Sequence, residues 1–337
     1  MEEKLYKIVV DTKGGDKGPS VILDGVAEAL ALHPSLAVLL VGDETALREA
    51  CLTRGLPMAR VELLDAPGEI TNYDSPVAAL FEKADASLVR GMRALAERKD
   101  LCGFLGTGST GALLAASLRF LSERGSGRPA LGALIPTESG GFTCLVDTGA
   151  TIDCDAKTLH HFAHLGTDFM RKMYGIASPR VALLSNGAEE TKGNRVTKEA
   201  YSILAADAAL NFVGNVEGSR AFADSCDVLV CDGFAGNQVL KVTEGTARRL
   251  LTDVGRFAKK TGSADVMALL SHLMQIYDIP SLGGGNVLGV RKPVVKAHGA
   301  SDAKAIVSTL GMLLNMAANR AVFDGEYVKN LIGGLSE

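Results

Sequence analysis

The fold can be inferred first from residues 7–32, which read K-I-V-V-D-T-K-G-G-D-K-G-P-S-V-I-L-D-G-V-A-E-A-L-A-L. Residues 7–11 form a short apolar run that predicts a β-strand, and the polar, glycine-containing residues that follow predict a turn. From Pro19 onward, apolar residues recur at helical spacing, and a proline suits the first position of a helix. The stretch therefore predicts a strand, a turn and an amphipathic helix in succession.

The same alternation continues along the chain. The other predicted strands are also continuous apolar runs, which parallel strands covered on both faces require. All predicted strands are residues 7–11, 36–41, 101–105, 131–135, 143–147, 181–185, 212–216, 228–232 and 294–298. With amphipathic helices between them, they predict an α/β fold with a doubly wound, mostly parallel sheet.

Domain boundaries are weakly marked, because no low-complexity linker or internal repeat divides the chain. We expect an N-terminal α/β part at 1–178 and a C-terminal α/β part at 179–337, or one continuous domain. Residues 246–279 lack a strand pattern and predict two helices joined at 261–263. This helical excursion is interpreted either as a dimer arm or as a hairpin that contacts a membrane surface.

Composition restricts the class of protein. The 337 residues are 47% hydrophobic and 22% charged, which excludes a disordered chain, and no apolar run approaches the ~18 residues of a membrane span. A formal charge of −4 provides no basic stripe, so nucleic acid is not an expected partner. The start lacks a secretory pattern, and six cysteines without a C-x-x-C motif predict buried, reduced thiols; we expect a cytoplasmic protein.

Turns that follow strands are the expected binding regions, because ligands of open α/β sheets bind at the carboxyl ends of the strands. In the first turn, Asp11, Gly14, Gly15 and Asp16 could hold an anion through backbone N–H groups, although a plain turn explains the pattern equally well. The motif G-T-G-S-T-G at 106–111 has three interpretations: a phosphate or pantetheine cradle, which we favour, a dinucleotide site, or a structural turn. Its candidate ligand residues are Gly108, Thr110 and Gly111.

Later turns carry amides, carboxylates and one well-placed cation. Lys192 lies in a glycine-containing turn after residues 181–185, where its ammonium could meet an anion, or could simply be solvated beside two glutamates. Asn237 could donate to an oxyanion or could only cap a helix. The remaining candidates in these turns are Asn194, Asn215, Glu217 and Asp232.

The histidines and serines exclude some chemistry. Of the six histidines, His298 stands at the end of a predicted strand, 294–298. No G-x-S-x-G motif marks a nucleophile elbow, so covalent serine catalysis is disfavoured. His160, His161 and His164 do not match H-E-x-x-H, and we interpret them as a surface helix face rather than a metal site.

Taken together, the turns resemble the PlsX-type phosphate acyltransferases, and the resemblance covers nearly the whole chain. It depends on ordered blocks, each common alone but specific in this order and spacing. The blocks are V-D at 10–11 with G-G-D at 14–16, T-G-A-L at 110–113, R-P-A at 128–130, D-T-G-A at 147–150, K-G-N at 192–194, F-V-G-N-V-E-G at 212–218, residues 227–237, and H-G-A-S at 298–301.

The resemblance implies an enzyme that makes acyl-phosphate from acyl-acyl carrier protein and inorganic phosphate for phospholipid synthesis. It implies a homodimer that needs no cofactor, and a fold similar to those of phosphotransacetylases and isocitrate-type dehydrogenases. It also implies that the helical excursion could contact the inner face of the membrane, where a membrane acyltransferase would take the product. Dimer packing remains the slightly favoured alternative for that excursion.

Departures from the family pattern concern the donor more than the reaction. Members usually show D-A-M-G-G-D where this chain has D-T-K-G-G-D at 11–16, and asparagine where Ser109 stands. They also carry a basic segment near 74–77, and G-G-A-P-L-L-G where this chain reads G-G-N-V-L-G at 284–289. The chain is therefore a candidate divergent member.

Direct attack of phosphate on the thioester is the mechanism we expect. Lys192 would stabilise the charge, Asn237 would orient the oxyanion, and His298 would protonate the leaving sulfur. Three alternatives stay open: an acyl-CoA-dependent phosphotransacylase, an NAD-dependent oxidoreductase that uses 106–111, and a catalytically silent carrier-protein-binding homologue.

Overall fold

The computed structural model describes residues 4–122, 127–277 and 284–318. Contacts divide them into unit 1, formed by the residues up to Pro129 together with 284–318, and unit 2, formed by residues 130–277. Residues 178 and 179, where a boundary was predicted, lie within unit 2, and the chain returns to unit 1 after the helical hairpin. Residues 278–283, which include the end of the predicted excursion, lie outside the described residues, as do 319–337.

The described residues form the following elements. The strands are β1 (Tyr6–Asp11), β2 (Leu36–Gly42), β3 (Val61–Asp65), β4 (Leu101–Gly106), β5 (Ala130–Pro136), β6 (Phe142–Val146), β7 (Arg180–Ser185), β8 (Asn211–Glu217), β9 (Val228–Val230), β10 (Gly285–Leu288) and β11 (Val294–Lys296). The helices are α1 (Pro19–Leu32), α2 (Glu44–Thr53), α3 (Pro76–Glu82), α4 (Ser87–Glu97), α5 (Thr110–Leu121), α6 (Ala156–Tyr174), α7 (Arg195–Ala206), α8 (Gly233–Thr261), α9 (Ala264–Tyr277) and α10 (Ala303–Ala317), with short 3₁₀ turns at Met58–Arg60 and Gly218–Arg220.

In unit 1 the strands have the order β3-β2-β1-β4-β11-β10. All neighbours are parallel except β10, which is antiparallel to β11. Helices cover both faces: Gly103 of β4 faces Leu313 of α10, whereas Phe104 faces Gly91 of α4. Since successive strand residues point to opposite faces, α10 and α4 lie on opposite sides of this sheet.

In unit 2 the strands have the order β5-β6-β9-β7-β8. The β6, β9, β7 and β8 strands are parallel, and β5 is antiparallel to β6. Val228 of β9 packs against Gly166 of α6, whereas Leu229 lies in an apolar cluster with Ala235 and Val239 of α8. The helices α6 and α8 therefore cover opposite faces, as a doubly wound sheet requires.

The predicted strands and the predicted mostly parallel α/β class are confirmed, with differences at particular elements. The strands β3 and β10 are additions that the sequence patterns did not predict. The strands β9 and β11 end earlier than predicted, so Asp232 and His298 lie beyond them. The excursion is a helical hairpin turning at Gly262, but its first helix begins at Gly233 rather than near residue 246.

No helix among the described residues combines the length and the hydropathy needed to cross a lipid bilayer.

Candidate active site

The carboxyl edge of the unit 1 sheet collects the candidate residues of the N-terminal turns and His298. The strands β1, β4 and β11 are parallel, with β4 between the other two, so the turns that follow them start side by side. These turns are residues 12–18, 107–109 and 297–302. The two glycine-containing turns and His298 therefore lie at one edge of the unit 1 sheet.

Backbone contacts fasten these turns to one another. A Cβ added to Gly14, whose φ is +81°, would lie 2.6 Å from the Gly108 Cα, so the first two turns touch at two glycines. The Asp16 amide donates to the Gly299 carbonyl at 2.9 Å, and the Lys296 ammonium donates to the Thr107 carbonyl at 3.1 Å. The geometry of this edge therefore depends on backbone packing that larger residues would disturb.

Asp11 is a buried carboxylate at the end of β1, with 4% of its surface exposed. Burial raises the pKa of Asp11 to about 6, although hydrogen bonds from the Ser87 side chain and the Lys13 amide act in the opposite direction. Ser87 is itself buried, at the first position of α4. A buried carboxylate beside a hydroxyl is well suited to accept hydrogen bonds from a polar ligand.

A narrow cleft opens beside Asp11. Its polar lining includes Asp11, Lys13, Glu69, Ser87, Gly108 and Ser109. The Lys13 ammonium donates to the Pro67 carbonyl. Two carboxylates against one engaged ammonium give this cleft an acidic rather than a basic character.

The start of α5 shows what the 106–111 motif does locally. The Ser109 side chain caps the helix by accepting from the Ala112 amide at 3.5 Å, a role that asparagine fills equally well. Thr110 and Gly111 form the first helical positions, and Gly111 lies against the Pro76 ring of α3. Gly111 therefore has a packing role in addition to any contact with a ligand.

His298 is half-buried in the turn after β11. Its Nδ1 accepts from the Ala300 amide at 3.5 Å, and its carbonyl accepts from the Ser301 amide at 2.9 Å. Ser301 is 9% exposed, and its hydroxyl has no hydrogen-bond partner in the described part of the chain. The turn is thus held mainly through the backbone.

The carboxyl edge of the unit 2 sheet collects the later candidates. Because β6, β9, β7 and β8 are parallel neighbours in that order, their following turns also start side by side. These turns hold the residues 147–151, 231–232, 186–194 and the end of β8. Lys192, Asn194, Asn215, Glu217, Asp232 and Asn237 all lie at this edge or one turn from it, whereas His298 belongs to unit 1.

The turn at 186–194, called the Lys192 turn below, leaves the Lys192 ammonium exposed. The Lys192 amide donates to the Glu189 carbonyl at 3.0 Å, and the side chain passes over Gly187. The Gly193 amide donates to Asn186 Oδ1 at 2.8 Å, which fixes the turn before α7. Among the described residues the Lys192 ammonium makes no hydrogen bond or ion pair, so it is available to an anion from solvent.

Unsatisfied polar atoms lie beneath this turn. Asn215 is 6% exposed; its amide donates to the Glu189 carbonyl at 2.9 Å, but its Oδ1 has no partner within the described ranges. The Ser185 hydroxyl is also buried without a partner there, and it lies 3.2 Å from where a Gly193 Cβ would be. Buried acceptors and hydroxyls left in this state favour a bound polar ligand or water.

Two predicted residues cap helices here. Asn194 caps α7 by accepting from the Thr197 amide at 2.9 Å, and Asp232 caps α8 by accepting from the Ala235 amide at 2.7 Å. Since Asp232 is the cap, the alternative that Asn237 caps this helix is wrong. Asn237 lies within the second turn of α8, half-buried, about 4 Å from the Cβ position of Gly149. Glu217 ends β8 and is exposed.

Asp147 organises the start of α8. It is fully buried and accepts from the Leu131 amide at 2.9 Å and the Thr151 amide at 2.6 Å. Burial raises its pKa, against the effect of these amides. A Cβ at Gly236 would lie 1.9 Å from the Asp147 carbonyl oxygen, so only glycine lets α8 approach this loop. Asp147 therefore positions the turn that holds Asn237.

The sequence candidates missed Ser87, Asp147 and Ser185. The signal for Asp147 and Ser185 was available, because both stand at the carboxyl end of a predicted strand. Ser87 carried no local signal, since it begins a helix that contacts β1 only in the folded chain.

Comparison with known proteins identifies the family. The chain matches the family described as "Fatty acid synthesis protein" over residues 6–322. It belongs to this family. Relatives named phosphate acyltransferase include one from Caldanaerobacter subterraneus subsp. tengcongensis, 39% identical over 93% of this chain and 94% of that protein, and one from Caldicellulosiruptor saccharolyticus, 37% identical over 98% and 99%. The chain is thus an acyltransferase of the phosphate acyltransferase family.

Solved structures show the same fold. A phosphotransacetylase from Streptococcus pyogenes matches with a TM-score of 0.62 and 17% identity, over 94% of this chain and 96% of that one. A branched-chain phosphotransacylase from Enterococcus faecalis V583 matches with a TM-score of 0.60 and 14% identity, over 93% and 99%. The predicted phosphotransacetylase-like fold of this family member is confirmed.

Proposed function

We propose that the protein forms acyl-phosphate from acyl-acyl carrier protein and inorganic phosphate, in the supply of acyl groups to phospholipid synthesis. Membership of the phosphate acyltransferase family supports an acyl group and phosphate as substrates. The observation that carries the proposal is the exposed, unengaged Lys192 ammonium above the buried polar atoms of Ser185 and Asn215.

The chemistry explains why such a cation is needed. A phosphate oxygen adds to the thioester carbonyl, forming a P–O–C bond, and the tetrahedral oxyanion then collapses and expels the thiolate. Phosphate is already anionic at neutral pH, so it needs no strong base. Its difficulty is that it approaches a carbon whose oxygen is becoming negative, and fixed positive charge and N–H donors reduce that repulsion.

Residues of unit 2 take the roles that involve negative charge. Lys192 binds phosphate and stabilises the charge that develops on it, with the amides at the start of α7 nearby. Asn194 shapes this site as the cap of α7. Asn237 donates its side-chain amide to the oxyanion or to the phosphate, held in place by the packing of α8 on the Asp147 loop.

Residues of unit 1 suit a neutral polar ligand better than phosphate. The cleft beside Asp11 also includes Glu69, and a second carboxylate would repel a phosphate. The amide and hydroxyl groups of a pantetheine arm could instead donate to Asp11 and accept from Ser87 or Ser109. We therefore assign the turns 11–16 and 106–111 to the binding of a pantetheine arm.

The α8–α9 hairpin is assigned to association. It exposes Leu250 (61%), Phe257 (56%) and Met267 (48%), and it also carries basic residues such as Arg248 and Lys259. Packing against a second copy of the chain would bury these side chains. Sedimentation analysis measures the oligomeric state: we expect the natural chain to be a dimer and Leu250→Glu to be a monomer. If the natural chain is monomeric and co-sediments with anionic vesicles, the hairpin contacts a membrane surface instead of a second copy of the chain.

The deciding experiment traps acyl-phosphate with hydroxylamine after incubation with acyl-acyl carrier protein, with and without phosphate. The proposal expects phosphate-dependent hydroxamate and an equal amount of free carrier thiol. If acyl-CoA reacts faster than acyl-acyl carrier protein, acyl-CoA is the donor instead. Retention of acyl-acyl carrier protein without any thiol release would show a silent homologue and overturn the proposal.

A further inference from the structure

Two histidines and one aspartate converge on the outer side of unit 2. His160 and His164 lie one turn apart on α6, and Asp207 ends α7. The Nε2 atoms of His160 and His164 lie 2.7 Å and 2.8 Å from the same Asp207 Oδ2. These three atoms lie within 4.8 Å of one another, and the two imidazoles meet edge to face.

Asp207 is held in place for this contact. Its Oδ1 accepts from the Ala209 amide at 2.9 Å, and its own amide donates to the Leu204 carbonyl, so the carboxylate has a fixed direction. Carboxylates that bind a metal ion are usually hydrogen-bonded in this way.

We propose that His160, His164 and Asp207 form a binding site for a divalent transition-metal ion of the Zn²⁺ type. Two imidazole nitrogens and one carboxylate oxygen are ligands that suit Zn²⁺, Ni²⁺ or Co²⁺, whereas Mg²⁺ and Ca²⁺ prefer oxygen. Ligand bonds of about 2.0–2.1 Å in a tetrahedral arrangement separate ligand atoms by roughly 3.3 Å. The nitrogen–oxygen distances of 2.7 and 2.8 Å therefore need to widen by only about half an ångström.

Binding also requires a proton shift that the side chains can make. Because an ionised carboxylate only accepts hydrogen bonds, each Nε2 that contacts Asp207 donates its proton. A metal ion needs the Nε2 lone pair, so each imidazole must carry its proton on Nδ1 instead. The side chains of His160, His164 and Asp207 are 29%, 40% and 21% exposed, which lets water accept and return these protons and leaves room for water as a further ligand.

The site is separate from the Lys192 turn. Asn194 caps the start of α7 and Asp207 its end, and a 12-residue helix is about 18 Å long. A bound ion would link α6 to the connection between α7 and β8. We therefore expect it to stabilise unit 2 against unfolding rather than to take part in acyl transfer, so that this inference can fail without the proposed function failing.

The test uses the full chain, purified without a histidine tag and treated with chelator. Zn²⁺ binding is measured by calorimetry, Co²⁺ binding by its visible absorption, and thermal unfolding with and without Zn²⁺. The variants are His160→Ala, His164→Ala and Asp207→Asn, the last of which keeps the acceptor for the Ala209 amide. His272→Ala, which removes an exposed histidine on α9, is the matched control.

The proposal expects one equivalent of Zn²⁺, a tetrahedral Co²⁺ spectrum, and a higher melting temperature with Zn²⁺. Loss of a metal-supporting residue typically weakens binding 10–100-fold, so each of the three variants is expected to bind at least about tenfold more weakly. The control should bind as the natural chain does. Absence of saturable binding, or equal binding by His164→Ala and the natural chain, would overturn the site.

Discussion

The two carboxyl edges are built from the same element types but in opposite ways. In unit 1 the turns touch through Gly14 and Gly108, and the titratable group at the centre, Asp11, is buried. In unit 2 the buried groups Asp147 and Asn215 hold the loops, while the charged group, Lys192, is exposed and unengaged among the described residues.

This difference indicates how function and stability are distributed. A buried carboxylate and backbone-to-backbone contacts couple any change at the unit 1 edge to folding. An exposed lysine contributes little to folding, so it can be selected for chemistry alone. Substitutions of Gly14 and Asp11 should therefore change stability, whereas substitution of Lys192 should change only turnover.

The largest effect is expected for Lys192→Ala. Removing one group that stabilises a developing anion typically lowers the rate about 10²–10³-fold, and the exposed side chain should leave the melting temperature unchanged. Hydroxamate formation and thermal unfolding measure the two quantities. Lys198→Ala, an exposed lysine on α7, is the control and should be active. Turnover of Lys192→Ala close to that of the control would remove Lys192 from the mechanism.

Gly14→Ala should destabilise unit 1 by about 2–4 kcal/mol. A positive φ costs an alanine about 1–2 kcal/mol, and the new methyl would meet the Gly108 backbone, which costs about as much again. Gly55→Ala is the control, because Gly55 also has a positive φ but faces open space. The difference between the two variants in the free energy of unfolding in urea gives the cost of the contact with Gly108. Equal losses would mean that the two turns do not depend on this contact.

Asp11→Asn should change how stability depends on pH. The pKa of Asp11 is raised from 3.8 to about 6 in the folded chain, so the folded state binds its proton more tightly. Stability therefore decreases as pH rises from about 4 to 6 and stays lower above that, by up to about 3 kcal/mol. Urea unfolding at several pH values should show this decrease in the natural chain and not in Asp11→Asn. Parallel pH profiles would contradict a buried, ionising Asp11.

Substitutions of Asp232 should have the smallest effect, and they distinguish a role as helix cap from a role in binding substrate. Asp232→Ala should lose about 1 kcal/mol through the N-cap of α8, whereas Asp232→Asn keeps an acceptor and should be as stable as the natural chain. If Asp232 also binds substrate, the asparagine variant will show a raised KM at unchanged stability. If Asp232→Asn has the same KM as the natural chain, Asp232 acts only as the helix cap.

Local patterns predicted most strands, because their apolar runs are buried in full; residues 36–41 are the clearest case. They missed β3, V-E-L-L-D, whose position as a strand depends on pairing with β2 rather than on its own composition. They also placed the start of α8 too late, since Gly233 and Gly236 weaken a helical pattern and are explained only by the close approach to Asp147.

The candidate site shows the same limit. The sequence placed the candidates after predicted strands, and parallel neighbours bring the residues that follow them to one edge in each unit. The burial of Asp11, the hydrogen bond from Ser87 and the capping role of Asp232 depend on contacts between distant parts of the chain. Those contacts decide which candidates are free to meet a ligand and which are engaged.

The 29 residues of α8 run without interruption from the Asp147 loop to the turn at Gly262, a length of roughly 44 Å. Asn237 lies near one end of this rod, and the exposed apolar side chains of the hairpin lie toward the other. The helix continues without a break between the two ends. Any partner that binds its distal half would therefore also restrict the orientation of the half that carries Asn237.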